Sequence, residues 1–314
     1  MDIRQLRYFV AVAEELNFSR AAERLHMSQP PLSLQIKAIE AELGTLLFER
    51  TRRKVELTEP GRLFLEHARA LIAQMEGAGD AVRRAGRGEA GEIRIAFTGS
   101  VPMADAFPRF IQAFREQHPA VRVEMGHQSS GAQLQALADR HIDVGFLRPS
   151  HLFVPGDDIA VRGIWEDELK VVLPAGHRLA RARGGVRVAD LAEEPFVLFP
   201  RGIGCGLYDH VMTLCHQAGF APRVVQEARE GVTILALVAA GTGISILPDT
   251  YRHASIPGTV LHTLASPAAK SRLLLAWRKN EKSPLVTRFV TMAERWPGFA
   301  SPSPSARRVH AVAA

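Results

Sequence analysis

Residues 18–33 read FSRAAERLHMSQPPLS. Asn17-Phe-Ser19 offers capping side chains ahead of a short helix, Ser19 to Leu25. Ala21 and Ala22 give that helix a small face where another helix can approach closely. His26-Met27 makes a turn, and Ser28 suits the N-cap of the next helix. Pro30 and Pro31 fall in its first turn, where a missing N–H costs nothing. Beyond them Leu32, Ile36, Ile39 and Leu43 step by 4, 3 and 4, which predicts a buried stripe. The face away from the stripe shows Pro30, Ser33 and Lys37, with Gln29 at the tip. A short helix, a tight turn and a polar-faced helix make a helix-turn-helix, whose second helix enters the major groove N-terminus first. Gln29 and Ser33 are then base-edge or phosphate donors, and Lys37 meets a phosphate. On periodicity alone, a plain three-helix bundle with a solvated face stays open.

Upstream, Ile3, Leu6, Phe9, Val10, Ala13 and Leu16 recur at helical spacing and predict a helix over 3–15. Downstream of Gly44, Leu46-Leu47-Phe48 and Val55-Glu-Leu57 bracket Arg50-Thr-Arg-Arg-Lys54, four bases in five residues. Two short apolar runs with a basic tip read as a β-ribbon wing. That wing would set Arg50, Arg52, Arg53 and Lys54 beside phosphates, each neutralised phosphate steepening the salt dependence of binding.

With these segments in place, FSRAAERLHMSQPPLS, IEAELGTLLFER and LTEPG closely resemble the N-terminal domain of LysR-type transcriptional regulators, over about residues 1–65. The resemblance implies DNA contacts at Ser28, Gln29, Pro30, Pro31, Ser33, Leu34 and Lys37. The family often has Arg where this chain has Leu34, so Leu34 is expected to touch a thymine methyl instead of a phosphate.

From Thr58-Glu-Pro-Gly61 a further helix begins. Phe64, Ala68, Leu71, Met75, Ala78 and Val82 step 4, 3, 4, 3, 4, a strict heptad seam. A helix packed on its own domain usually shows a broader stripe, so the seam predicts dimerisation, which places two recognition helices on two half-sites. An intrachain connector is the alternative. Gly86, Gly88 and Gly91 then supply a joint.

The whole chain has 314 residues, enough for about two domains. Its 39 basic and 33 acidic side chains leave a formal charge of +6, which invites a nucleic-acid reading only where bases cluster. Residues 1–88 hold 14 bases against 12 acids, so the excess is not concentrated in that part. Two cysteines exclude a disulfide scaffold or a multi-cysteine metal site. Charges at Asp2, Arg4 and Arg7 argue against a signal peptide, and no apolar run is long enough for a bilayer. A cytoplasmic protein is the expectation.

From Glu92, strand and helix signals alternate. Strands are expected at 93–97, 121–125, 142–147, 169–173, 196–199, 223–226, 243–247 and 272–277, with helices at 103–117, 131–140, 205–218 and 231–240. This is a parallel-rich α/β pattern. Such sheets bind ligands at the carboxyl ends of their strands. Thr98-Gly-Ser100, Gln128-Ser-Ser130 and Phe199-Pro-Arg-Gly202 occupy such ends. Ser100 and Ser130 could each offer a hydroxyl and nearby N–H groups to a carboxylate, although any single serine there is first of all a helix cap.

The segments IDVGFLRP and LALVAAGTGISILP resemble the effector domain of the same family, most closely the members that sense metabolites of aromatic-compound degradation. The resemblance implies two α/β lobes like those of periplasmic binding proteins, with crossings near 162–165 and 265–270. It also implies carboxylate contacts from the serine loops and a pocket-edge arginine at Arg148. Thr98, Ser129, Phe146, Phe199, Pro200, Arg201 and Thr233 complete the expected lining. The expected division is a winged helix-turn-helix over 1–60, a linker helix and hinge over 61–90, and an effector domain over 91–300. In the last, lobe I takes 91–163 and 268–300, and lobe II takes 164–267. Residues 301–314 read as a disordered tail.

Gly202-Ile-Gly204-Cys-Gly206 lacks the third glycine of a dinucleotide loop, where Leu207 stands. No P-loop, HExxH or GxSxG occurs, so neither catalysis, nor a cofactor, nor a metal is expected. Cys205 and Cys215 read as inert thiols before they read as a redox pair. The expected protein is a LysR-type regulator that binds promoter DNA and senses a small, anionic, aromatic-pathway metabolite. It would work as a homodimer or homotetramer, with RNA polymerase as a further partner and no membrane. The rivals are a constitutive DNA-binding oligomer without an effector, and a solute-binding or enzymatic α/β protein.

Overall fold

A computed structural model describes residues 1–51, 54–150 and 153–299. The expected wing residues Arg52 and Arg53 and the expected tail 301–314 lie outside the described residues. Contacts divide the chain into two units, Met1–Arg84 and Ala85–Ala314.

In the first unit, α1 (Ile3–Glu15) starts from a capping box in which Asp2 accepts from Gln5 N–H. Helix α2 (Phe18–Arg24) is capped by Asn17, and α3 (Gln29–Leu43) runs to Gly44, whose φ of 68° closes the helix in the left-handed region. Strands β1 (Phe48–Arg50) and β2 (Val55–Leu57) pair antiparallel, Phe48 opposite Leu57. Then comes α4 (Glu59–Gly86), 28 residues long. Leu6, Phe9, Val12, Phe18, Leu32, Ile36, Ile39 and Phe48 fill one core. Leu43, the fourth residue of the expected stripe, is 40% exposed, because it sits at the helix end beyond that core. The start of α4 is pinned by Thr58, which donates to Leu46 O and accepts from Gly61 N–H. A Cβ on Gly61 would stand 2.0 Å from Leu47 O, so only glycine fits.

The expected seam divides at this point. Ala68 is fully buried in the core of the first unit, and the Phe64 ring lies 4.8 Å from that of Phe9. These two residues serve the chain's own core rather than a free dimer seam, because the first turns of α4 lie against α1. Leu71, Met75, Ala78 and Val82 are exposed.

The second unit opens with β3 (Gly91–Phe97), α5 (Ala106–Gln117), β4 (Val121–His127), α6 (Ser130–Ala138) and β5 (Val144–Leu147). Strand β6 (Ile159–Pro174) follows, then β7 (Pro195–Leu198), α7 (Gly206–Gln217), β8 (Arg223–Glu227), α8 (Gly231–Ala239) and β9 (Ser245–Pro248). The chain ends in β10 (Thr259–Thr263), β11 (Lys270–Arg278) and α9 (Pro284–Arg295). One lobe packs Phe110, Phe114, Phe146, Phe289 and Leu275 together; the other packs Val171, Leu191, Phe196, Ile234 and Ile246.

The sheet is mixed rather than parallel-rich. Strand β3 pairs parallel with β4 and β5, and β7 with β8, as βαβ crossovers require. Strands β6 and β11 run in opposite senses between the lobes, so their ladder is antiparallel, as are those of β6 with β9 and β10. Residues 159–168 of β6 pair with β11, and residues 169–174 pair with β9 and β10. Ile164 belongs to the first lobe's core and Leu169 to the second's, so the crossing comes after the expected 162–165. The β6–β11 register slips between Leu273 and Leu274, opposite Trp165 and Gly163.

Candidate functional site

Two surfaces follow from these elements. On α3, Ser28, Gln29, Pro30, Pro31 and Lys37 are exposed, Leu34 is 65% exposed and Ser33 is half-buried. Ser28 has the extended backbone of an N-cap, but its hydroxyl makes no cap hydrogen bond and the residue is exposed. These seven residues lie together at the N-terminal end and outer face of one helix.

The wing is less free than its sequence suggests. Arg50 Nη2 donates to Glu40 Oε2 at 2.7 Å, and its guanidinium lies 4.7 Å from the centre of the Phe18 ring. Glu40 is buried and also accepts from the N–H groups of Leu47 and Phe48. Arg50 is therefore tied to the fold by Glu40, because a buried carboxylate needs a partner charge, while 27% of its side chain stays exposed. Lys54 pairs with Glu56 on the exposed face of β2.

In the second unit a cavity of about 310 Å³ opens between the lobes. Thr98, Ser100, Ser129, Ser130, Arg148 and Phe199 line it, as expected. Phe146 does not. It is fully buried, its ring 5.1 Å from Phe107, on the same face of β5 as Val144 and packed into the first lobe's core. Pro200, Arg201 and Thr233 are also absent from the lining. The 199–204 loop curls into a 3-10 turn that brings Ile203 and Cys205 to the cavity instead of Arg201. Helix α8 presents Val232 rather than Thr233.

The polar end of the cavity is a network around Arg148. Its Nε donates to Ser100 Oγ at 2.7 Å, and its backbone N–H donates to Ser130 Oγ at 3.0 Å. Its Nη2 donates to Asp167 Oδ2 at 3.0 Å and its Nη1 to Ser271 Oγ at 3.2 Å. Asp167 Oδ2 also accepts from Thr250 Oγ1 at 2.8 Å, which ties β6 to the turn after β9. Burial pushes the Arg148 guanidinium below the ordinary arginine range, and the Asp167 carboxylate works against that shift. The N-termini of α6, α7 and α8 contribute Ser130, Leu207 and Gly231 to the lining, so the positive ends of three helix dipoles border the cavity. Gly131 N–H donates to Gly204 O across the cleft at 3.3 Å. Gly204, with a φ of 69°, needs glycine's freedom for that approach.

Several lining residues were not expected: His127, Leu207, Arg229, Glu230, Val232, Pro248 and Tyr251. Most follow the carboxyl ends of β4, β8 and β9. The same rule that selects the serine loops would select these, had it been applied to every strand. Burial pushes the Cys205 thiol up, and pushes Cys215 up to about 12, so both stay protonated near neutral pH. Among the described residues no group of His, Cys, Asp and Glu could hold a metal ion, and no helix is long and apolar enough to cross a membrane.

An exposed helix-turn-helix face in one unit and a polar-ended cavity between two lobes in the other define a DNA-binding regulator with a small-molecule domain. A family model described as a bacterial regulatory helix-turn-helix protein of the lysR family matches residues 3–62, and that of the LysR substrate binding domain matches residues 86–297. The chain is 38% identical to the uncharacterized HTH-type transcriptional regulator YnfL of Escherichia coli, over 92% of this chain and 96% of that one. It is 37% identical to the transcriptional regulator ClcR of Pseudomonas putida, over 93% of this chain and 98% of that one. Full-length CbnR, solved in complex with its target DNA, superposes with a TM-score of 0.79 at 33% identity, over 94% of this chain and 99% of that one. The chain belongs to the LysR family of DNA-binding transcription regulators with an effector-binding domain.

Proposed function

We propose that the effector is a small carboxylate held in the inter-lobe cavity, and that its binding shifts the geometry of a DNA-bound oligomer. The observation that carries this reading is the convergence of the α6, α7 and α8 N-termini with Arg148 on one cavity of about 310 Å³. Its size suits a small ligand. The Ser130 hydroxyl, at the N-terminal end of α6, would hold the carboxylate, with Ser100 and Arg148 behind it. On DNA, Gln29, Ser33 and Leu34 meet base edges, and Ser28 and Lys37 meet phosphates. Arg52 and Arg53 supply the wing charges once Arg50 is committed inward. The exposed Leu71, Met75, Ala78 and Val82 of α4 pair two copies, which sets two recognition helices on a palindromic site. RNA polymerase is the partner through which such a regulator would act.

Matched acids and amides test the effector reading on the full-length protein. Benzoate and hexanoate are expected to raise the melting temperature, and benzamide and hexanamide to leave it unchanged. Equal shifts from acid and amide would remove the carboxylate from the reading. Ser130→Ala is expected to abolish the shift and to leave promoter binding intact.

A further inference from the structure

The serine end of the cavity is engaged with Arg148, and a second polar place on the lining is not. Tyr251, in the 3-10 turn after β9, is only 3% exposed and lines the cavity. Among the described residues its hydroxyl has no hydrogen-bond partner, and it faces the cavity, where a ligand oxygen can take its proton in a hydrogen bond. Two glycines give the phenol its position. A Cβ on Gly231 would stand 2.2 Å from Tyr251 Cζ, so the bare first turn of α8 is what admits the ring. The position of a Cβ on Gly99 lies 3.5 Å from the Tyr251 hydroxyl and 3.4 Å from His127 Nε2. The absent side chain therefore leaves an open spot on which a phenol and an imidazole converge. Burial pushes the phenol's pKa up, so it is a neutral O–H donor at any physiological pH.

We propose that Tyr251 and His127, facing each other over Gly99, form a second polar subsite of the effector cavity, and that Tyr251 selects acids carrying another acceptor oxygen. The ligand class is then dicarboxylic, hydroxy- or oxo-carboxylic acids, in preference to acids with a wholly apolar body. A site built to hydrogen-bond an oxygen discriminates strongly against the analogue that lacks it, because its own polar group is left unpaired. This rests on the carboxylate reading above.

The test measures dissociation constants on the full-length protein for succinate, glutarate and adipate against butanoate, pentanoate and hexanoate. 4-Hydroxybenzoate against 4-methylbenzoate supplies an aromatic pair. In the unaltered protein at least one polar acid is expected to bind roughly tenfold more tightly than its apolar match, the order of one added hydrogen bond. Tyr251→Phe is expected to erase that advantage and to leave the apolar acids within about twofold of their original affinity. Gly99→Ala offers an independent route. Its methyl meets only ordinary contacts and occupies the spot in front of the hydroxyl, so it too should erase the preference without lowering the ligand-free melting temperature.

If the apolar acids bind and no polar acid gains, the subsite is overturned and the carboxylate reading survives. The same holds if Tyr251→Phe and Gly99→Ala leave the preference intact. If Tyr251→Phe weakens both members of a pair alike, Tyr251 holds the first carboxylate and the second subsite is overturned. If no acid of either kind binds, the carboxylate reading falls and takes this inference with it.

Discussion

Arg50 in the wing and Arg148 in the effector cavity both stand where the sequence marks a ligand contact, and the fold turns both inward. Their settings differ. Arg50 keeps 27% of its side chain exposed, lies over the Phe18 ring and closes on a glutamate ten residues earlier. Arg148 keeps 6%, and its partners Ser100, Asp167 and Ser271 come from three separate stretches of chain. Basic clusters in a sequence report charge, not availability. Availability depends on whether a buried carboxylate nearby must be neutralised, and such a carboxylate is legible only after the fold has placed it.

The contrast predicts a ranking of effects. Arg148→Ala or Asp167→Ala strands a buried charge and is expected to lower unfolding free energy by about 3–5 kcal/mol, read by chemical denaturation. Glu40→Ala removes the acceptor of two buried N–H groups and of Arg50, and should cost about 3 kcal/mol. Arg50→Ala leaves the buried Glu40 carboxylate with its two N–H donors and should cost about 2 kcal/mol. If Arg50→Ala proves as damaging as Arg148→Ala, the two settings are not different in kind. A smaller effect separates fold from DNA contact. Lys37→Ala is expected to flatten the salt dependence of promoter binding by about one unit of slope and to leave stability unchanged, whereas Arg50→Ala leaves the slope alone. A steeper loss of slope from Arg50 than from Lys37 would return the wing arginine to the DNA.

The first unit was the more legible because its signals are local. Asp2, Asn17 and Gly44 mark helix ends, and the stripe through Leu32, Ile36 and Ile39 repeats within a single helix. The second unit hid its long strand. Residues 159–168 of β6 carry Arg162, Glu166, Asp167 and Glu168, so apolar runs point only to the stretch beginning at Leu169. Helix α9 is missing from the sequence-based expectation although Ser283 and Pro284 open it and Leu285, Val286, Phe289, Val290 and Ala293 bury one face. For the cavity, Ser100 and Ser130 were legible from their place after strands. Phe146 was assigned to the lining with the family resemblance, and β5 turns it, like Val144, into the aromatic core, while Arg148 lies past the end of the strand. Tyr251 carried no signal of its own in the sequence; two glycines distant in sequence from each other, Gly99 and Gly231, make its position.

Strand β6 has a mechanical consequence. It runs unbroken for 16 residues through both lobes, and its pairing with the returning chain continues past the boundary through Leu169 N–H to Ala269 O. The lobes are thus joined by a hydrogen-bonded ribbon rather than by a flexible loop. Such a ribbon acts as a torsion bar: it twists through small angles, resists in proportion, and springs back when the load is removed. Its soft place is the slipped register between Leu273 and Leu274, where the opposing strand has Gly163. The two lobes are thus coupled, so a twist of either is carried to the other along β6 and β11.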